Sequence, residues 1–242
     1  MKKRKIVAII QARMDSTRLP GKTLMSIGSK PLLWHVVERT GTSRYIDDIV
    51  IATSTNEKDD KIEKFAIRNN IKISRGPEDD CLDRYYKAAK KFNADIVVRI
   101  TADCPLICPE VIDEVLKEYI RGGYDYVTNT LRYTYPDGCD VEVFSFKALE
   151  KASKECKDPV DREHVTPYIR NSRKFKTKNV ENDKPVDPNE YKWSVDRIED
   201  LKFVKEVYKH LYNNGKIFSY KQIMNLLKNK PGIKKINSKV IV

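Results

Sequence analysis

Lys5-Ile6-Val7-Ala8-Ile9-Ile10-Gln11 is the stretch that decides the fold. Five uninterrupted apolar residues, four of them β-branched, stand between polar ends, the pattern of a strand buried on both faces. Such strands belong to parallel sheets, whose crossovers need helices, so strands and helices should alternate along the chain. They do. Leu32, Leu33, Val36 and Val37 recur at helical spacing, residues 49–52 read as a second buried strand, and residues 57–69 as a helix presenting Ile62, Phe65 and Ala66. Residues 71–74 give a third strand, 82–92 a helix and 95–100 a fourth strand. The class is α/β, with a mostly parallel sheet covered by helices on both faces.

Beyond a helix over 109–121, with proline in its first turn, the pattern shortens. Extended pieces are expected at 124–128, 132–135 and 141–145, helices at 146–156 and 162–171, another extended piece at 174–180, and a polar, proline-broken loop over 181–190. This part reads as a β-rich insertion. A short extended run over 193–196 then precedes amphipathic helices at 198–212 and 219–227. The whole of 1–242 is expected to form one domain, with about 124–190 as a subregion.

Composition narrows the function. A chain of 242 residues, 40% hydrophobic, can bury a core without metal or disulfide staples. Cys81, Cys104, Cys108, Cys139 and Cys156 show no CxxC spacing, so reduced thiols are expected rather than a zinc site or a disulfide framework. No apolar run approaches the ~20 residues that cross a bilayer. The basic residues 2–5 lead into too short an apolar stretch for a secretory signal, so a cytoplasmic protein without membrane insertion is expected. The net charge of +12 lies at the ends: residues 201–242 hold ten Lys against one Glu, whereas residues 6–200 hold 33 basic and 34 acidic residues. With no Arg in that last stretch, a solvated lysine-rich helical face is expected and no specific nucleic-acid partner. Pro231-Gly232 reads as the end of the packed structure, with an edge strand built from Ile233, Ile236 and 240–242 as the alternative.

Ligands of open α/β sheets bind beyond the carboxyl ends of the strands, which directs attention to two loops. After the first strand, Ala12-Arg13-Met14-Asp15-Ser16-Thr17-Arg18-Leu19-Pro20-Gly21-Lys22 offers two guanidiniums, an ammonium, hydroxyls and turn amides, donors suited to a polyphosphate. It matches neither common phosphate fingerprint, since Ser16 stands where GxxxxGK[ST] needs glycine. A basic surface loop with a Pro-Gly turn fits the composition equally well. After the fourth strand comes Asp103, either an anchored carboxylate for a metal or a cap for the helix near Pro109. Asp196, ending the 193–196 run, offers a second carboxylate, and also an Ncap with Glu199 completing a capping box.

The 11–22 segment resembles the N-terminal signature of the cytidylyltransferases that activate sugar acids, such as the CMP-KDO and CMP-acylneuraminate synthetases. Arg75-Gly-Pro-Glu-Asp-Asp-Cys-Leu-Asp-Arg84-Tyr, Arg99-Ile-Thr-Ala-Asp103-Cys-Pro, Tyr135-Pro-Asp-Gly138-Cys-Asp140-Val-Glu142, Asp161-Arg162-Glu163-His164-Val165-Thr166-Pro167 and Ser194-Val-Asp196-Arg-Ile-Glu-Asp200-Leu look like the branch typified by the spore coat polysaccharide biosynthesis protein F. The resemblance implies a GT-A-like nucleotidyltransferase fold, CTP as donor, Mg²⁺ as cofactor, a sugar-acid-like acceptor, and a homodimer built through the segment after residue 124. It implies that Ala12, Arg13, Ser16, Arg18, Lys22 and Asp103 bind the nucleotide, that Asp103 and Asp196 hold the metal, and that Arg13, Lys22, Asp103 and Asp196 serve catalysis. Asp140, Glu142, Arg162 and His164 would meet the acceptor, structural ion pairs and core packing being the other readings. One departure stands out: Thr101-Ala102 precede Asp103 where many relatives carry Gly-Asp or Gln-Gly-Asp. A GT-A glycosyltransferase is the alternative, but its usual Asp-x-Asp is replaced by Asp103-Cys104-Pro105.

Overall fold

The computed structural model describes residues 3–213 and 215–238. The apolar opening run forms β1 (Ile6–Gln11), followed by the hairpin β2 (Ser26–Ile27) and β3 (Lys30–Pro31), then α1 (Leu32–Thr40), β4 (Asp48–Ser54), α2 (Asp60–Arg68) and β5 (Lys72–Gly76). α3 (Cys81–Lys91), β6 (Ile96–Thr101) and α4 (Pro109–Arg121) complete the alternating half. The rest comprises β7 (Tyr126–Thr128), β8 (Glu142–Ser145), α5 (Phe146–Glu155), α6 (Pro159–His164), α7 (Pro167–Asn171), β9 (Thr177–Asn179), α8 (Ile198–Leu211), α9 (Tyr220–Asn229) and α10 (Pro231–Lys234).

Seven strands form one sheet in the order β5-β4-β1-β6-β8-β7-β9. β1 is central and pairs in parallel with β4 and β6, and β4 with β5. The insertion does not make a separate layer: β8 joins β6 antiparallel, and β7 and β9 extend the same sheet. Alternation along β1 sends Val7 and Ile9 into a core with α3 and α5, and Ile6, Ala8 and Ile10 into a second core with α1, α2, α4 and α8. That is why both faces of the strand had to be apolar. Each fully buried isoleucine contributes about 1.5–3 kcal/mol through burial. The five cysteines are free and buried. Among the described residues no helix is long and apolar enough to cross a membrane.

Four expectations need correction. Residues 132–135 form a turn and a bend instead of a strand: Asn179 Oδ1 accepts the Leu131 and Arg132 N–H groups, and Thr134 O accepts from Val186 N–H and Asn182 Nδ2. The helix expected over 162–171 is two helices, broken at Val165, whose φ is 72°. Pro167 has no N–H to donate to the preceding turn and instead opens the second helix at its first position. α8 is not capped by Asp196. Asp200 inside its first turn accepts the N–H groups of Asp196 and Arg197 at 3.0 and 2.9 Å.

The fourth correction concerns the tail. Pro231 begins α10, Ile233 is buried, and Asn237 donates through Nδ2 to Lys192 O at 2.9 Å and to Asp200 Oδ1 at 3.1 Å. Packing therefore continues beyond Pro231-Gly232, with Ile233 in α10 instead of an edge strand, and the 240–242 part of that strand lies outside the described residues.

Candidate active site

β1 and β6 lie side by side, with Gln11 opposite Thr101, so their exit loops open at the same end of the sheet. The first loop is closed by Gly21, whose N–H donates to Met14 O at 3.0 Å. Its φ of 73° is in the left-handed region that glycine adopts without a Cβ penalty. Thr23 Oγ1 donates to Arg13 O at 2.7 Å, Leu19 N–H to Ser16 Oγ at 3.4 Å, and Met14 N–H to Asp59 Oδ1 at 2.7 Å. Ala12 gives its amide to Ala52 O, so it can pack against a ligand but not donate to one through its backbone.

The 193–196 run is drawn to the same end. Val195 N–H donates to Asp103 O at 2.8 Å, and Trp193 N–H to Asp137 O at 2.7 Å. Gly138 makes the approach possible: a Cβ there would stand 2.6 Å from Ser194 N.

These contacts assemble one ionic centre. Lys22 Nζ lies 3.0 Å from Asp103 Oδ2 and 3.1 Å from Asp196 Oδ1, and donates to Val195 O at 2.6 Å. Arg18 reaches Asp196 Oδ1 at 2.9 Å, while Lys192 Nζ stands 3.1 Å from Asp196 Oδ2 and 3.3 Å from the fully buried Asp200. Burial works against the Lys22 ammonium, but the Asp103 and Asp196 carboxylates outweigh it and raise its pKa. Burial likewise pushes the Asp196 carboxyl up, and Lys22 and Lys192 overcome it, holding the group below its ordinary value. Two carboxylates already gathering one cation between them suit a hard divalent ion that takes its other oxygens from phosphate and water. Among the described residues no group of three or more His, Cys, Asp or Glu is placed to hold a metal ion by itself.

A cleft of about 450 Å³ opens over this centre, walled by the 11–18 loop, Lys22, Arg84, Asp103, His164 and Asp196. Arg13 reaches across it, 3.5 Å from Glu78 O and 3.8 Å from Glu163 Oε1. Ala12, Arg13, Ser16, Arg18, Lys22, Asp103 and Asp196 thus come together, with His164 on the facing wall. His164 is turned there by the bend at Val165, where Thr166 N–H donates to His164 O at 2.9 Å.

The other acceptor candidates sit differently. Arg162 lies outside the cleft wall: Nε and Nη2 donate to Asp80 Oδ2 at 2.8 and 2.6 Å, and Nη1 to the carbonyls of Ser153 and Cys156. Glu142 is buried opposite Arg99 across the β6–β8 ladder, 3.0 Å from its guanidinium. Asp140 has no hydrogen-bonded partner among the described residues. Burial, then the Asp137 and Glu142 carboxylates, pushes its pKa up to about 8.

Sequence reasoning missed Lys192, Asp200, Asp137 and Arg84. For Lys192 a signal existed: period-two alternation through an extended 192–196 run places Lys192, Ser194 and Asp196 on one face.

Comparison with known proteins identifies the family and the fold. A family model described as cytidylyltransferase matches residues 7–231. The spore coat polysaccharide biosynthesis protein SpsF of Bacillus subtilis is 33% identical over 232 residues, covering 93% of this chain and 95% of that protein. A solved cytidylyltransferase from Leptospira borgpetersenii superposes with a TM-score of 0.88 at 35% identity, over 96% of this chain and 97% of that one. A CMP:2-keto-3-deoxy-manno-octonic acid synthetase complexed with CTP superposes at 0.64 over 85% of this chain and 98% of that one, and its 19% identity speaks for the fold alone. With the family match running from β1 through both carboxylates to α10, the chain belongs to the cytidylyltransferase family and is a nucleotidyltransferase.

Proposed function

We propose that the protein transfers CMP from CTP to a hydroxyl of a sugar acid or related acceptor, releasing pyrophosphate, in the cytoplasmic stage of surface or spore coat polysaccharide synthesis. The observation that carries this reading is the convergence of Lys22, Asp103 and Asp196 at the mouth of the arginine-bearing loop. Such displacements need positioning and charge neutralisation more than covalent help. Arg13 and Arg18 would grip phosphate oxygens through their planar forks, Ser16 would add a hydroxyl donor, and Lys22 would meet charge growing on the departing pyrophosphate. Asp103 and Asp196 would hold Mg²⁺. When bound, that ion offsets phosphate charge and aligns the α-phosphate with the acceptor.

The acceptor hydroxyl oxygen forms a bond to the α-phosphorus as the bond to the bridging oxygen breaks; the hydroxyl proton is released to solvent, and the bridging oxygen leaves with the pyrophosphate. His164 and Asp140 are the residues assigned to acceptor recognition. Arg162 and Glu142, engaged with Asp80 and Arg99, would shape the wall behind them. A homodimer through the 124–190 segment is supported by the exposed Leu131 and Tyr133 on its turn. The test is pyrophosphate release from each of the four nucleoside triphosphates, with Mg²⁺ and a panel of acceptors including sugar acids. Turnover is expected with CTP and a sugar-acid-like acceptor. Equal turnover with ATP or GTP rejects cytosine selectivity.

A further inference from the structure

Asp103 Oδ2, Asp196 Oδ1 and Val195 O surround a single position, and the Lys22 ammonium fills it. The three oxygens are carried by the exit of β6 and by the 193–196 run, and the hydrogen bond from Val195 N–H to Asp103 O holds those two segments together. Lys22 is the flexible member of the group, on a four-carbon stem. Its carboxylates are already engaged: Arg18, Lys22 and Lys192 are the cations in ionic contact with Asp103, Asp196 and Asp200. A divalent cation entering alone would meet an ammonium in its place and carboxylates already paired. Entering with a polyphosphate, it meets a different balance. The phosphates compete for Lys22 and Arg18, and as those side chains turn toward them the two carboxylates are freed.

We propose that the Lys22 ammonium is a resident counter-ion that keeps the metal position closed until nucleotide phosphates draw it away, so that metal and nucleotide bind as a coupled pair. This rests on the nucleotidyltransferase reading above and on Asp103 and Asp196 as metal ligands. Coupling of this kind is reciprocal: whatever factor the nucleotide adds to metal affinity, the metal adds to nucleotide affinity. Lys192 is the internal control. It carries the same charge and touches Asp196 from the other side, but makes no contact with Asp103.

The test is Mn²⁺ binding by the full chain, with and without α,β-methylene-CTP, which cannot be turned over, read as the loss of the free-ion electron paramagnetic resonance signal beyond that which the same analogue concentration causes without protein. The wild-type protein should bind Mn²⁺ at least tenfold more tightly with the analogue than without it. Lys22→Met should bind Mn²⁺ alone at least tenfold more tightly than wild type and respond less to the analogue, whereas Lys192→Met should change uptake by less than threefold. Equal Mn²⁺ affinity of wild type and Lys22→Met without nucleotide overturns the proposal. So does an equal gain in Lys192→Met, which would make the effect one of general charge. Lys22→Gln repeats the measurement if circular dichroism shows Lys22→Met to be unfolded. Asp103→Asn separates the two levels: if it leaves Mn²⁺ uptake with the analogue intact, the metal assignment falls and the proposal with it. If it abolishes uptake while Lys22→Met matches wild type, only the counter-ion role falls.

Discussion

The buried carboxylate of Asp200 accepts the backbone N–H of Asp196 at 3.0 Å, so the start of α8 is capped from within and the Asp196 side chain is left to the cations around it. The two aspartates should therefore fail in opposite ways. Asp196→Asn should abolish turnover with a modest drop in melting temperature. Because the native pKa of Asp196 is depressed, its ionised form contributes stability above the usual carboxylate pKa, and that contribution is lost as pH falls through the native value. The stability gap between wild type and Asp196→Asn should accordingly be open at pH 7 and close in acid. Asp200→Ala should instead destabilise the region by about 3–5 kcal/mol, since it removes one of the two carboxylates facing Lys192 and strips the N–H groups of Asp196 and Arg197 and the Asn237 amide of their acceptor. Thermal melts from pH 3 to 8, with turnover measured alongside, separate the two.

What the sequence made legible was what local pattern and composition encode. The β-branched run at Ile6–Ile10 marked the central strand, and two arginines and a lysine within ten residues marked the loop that walls the cleft. What it hid was partnership at long range. Nothing near Arg162 announces Asp80, 82 residues away. Lys192 shares a face with Asp196 by alternation, but nothing local announces that Asp200, eight residues on in a helix, also folds against it. The choice between Asp196 with Glu199 and Arg197 with Asp200 turns on where the helix begins, a matter of one residue that propensity does not resolve.

Asp140 gives a pH signature of the opposite sign. Its native pKa is raised to about 8 by burial and by the neighbouring Asp137 and Glu142 carboxylates, whereas in the unfolded chain it titrates near pH 4. The native state thus holds a proton that the unfolded state has released, and stability contributed by this group falls as pH rises from about 4 to 8. Asp140→Asn should remove that decline and be more stable than wild type at pH 8 and above, by about 2–4 °C in melting temperature per kcal/mol. Urea midpoints that decline equally with pH in both proteins would place the ionisation elsewhere.

Gly138 tests the assembly of the site from the backbone side. A methyl group there meets Ser194 N at 2.6 Å and Trp193 C at 2.7 Å, and φ is 96°, so neither the space nor the conformation admits alanine. Gly138→Ala should push the 193–196 run away from Asp103, with a loss of roughly 2–4 kcal/mol of stability, at the upper end of single-substitution effects, and of CTP-induced thermal stabilisation. A folded variant with parental CTP response would show that the run reaches the site by another route.

The tail carries the last test. Asn237 donates to Asp200 Oδ1 while Asp200 Oδ2 accepts the N–H of Asp196, so the end of the described chain is two hydrogen bonds from a candidate metal ligand. Ile233 is buried, and Lys234 pairs with Glu190 at 2.9 Å and lies over the Tyr191 ring. Deleting 231–242 should therefore lower the melting temperature and turnover together, through lost packing and a loosened Asp200. Asn237→Ala separates the two causes. It leaves α10 in place but strands one buried carboxylate oxygen, at about 1–3 kcal/mol, and should weaken Mn²⁺ uptake in the presence of α,β-methylene-CTP. Parental turnover and melting temperature in the truncated protein would show that the contact of Asn237 with Asp200 has no part in holding the site.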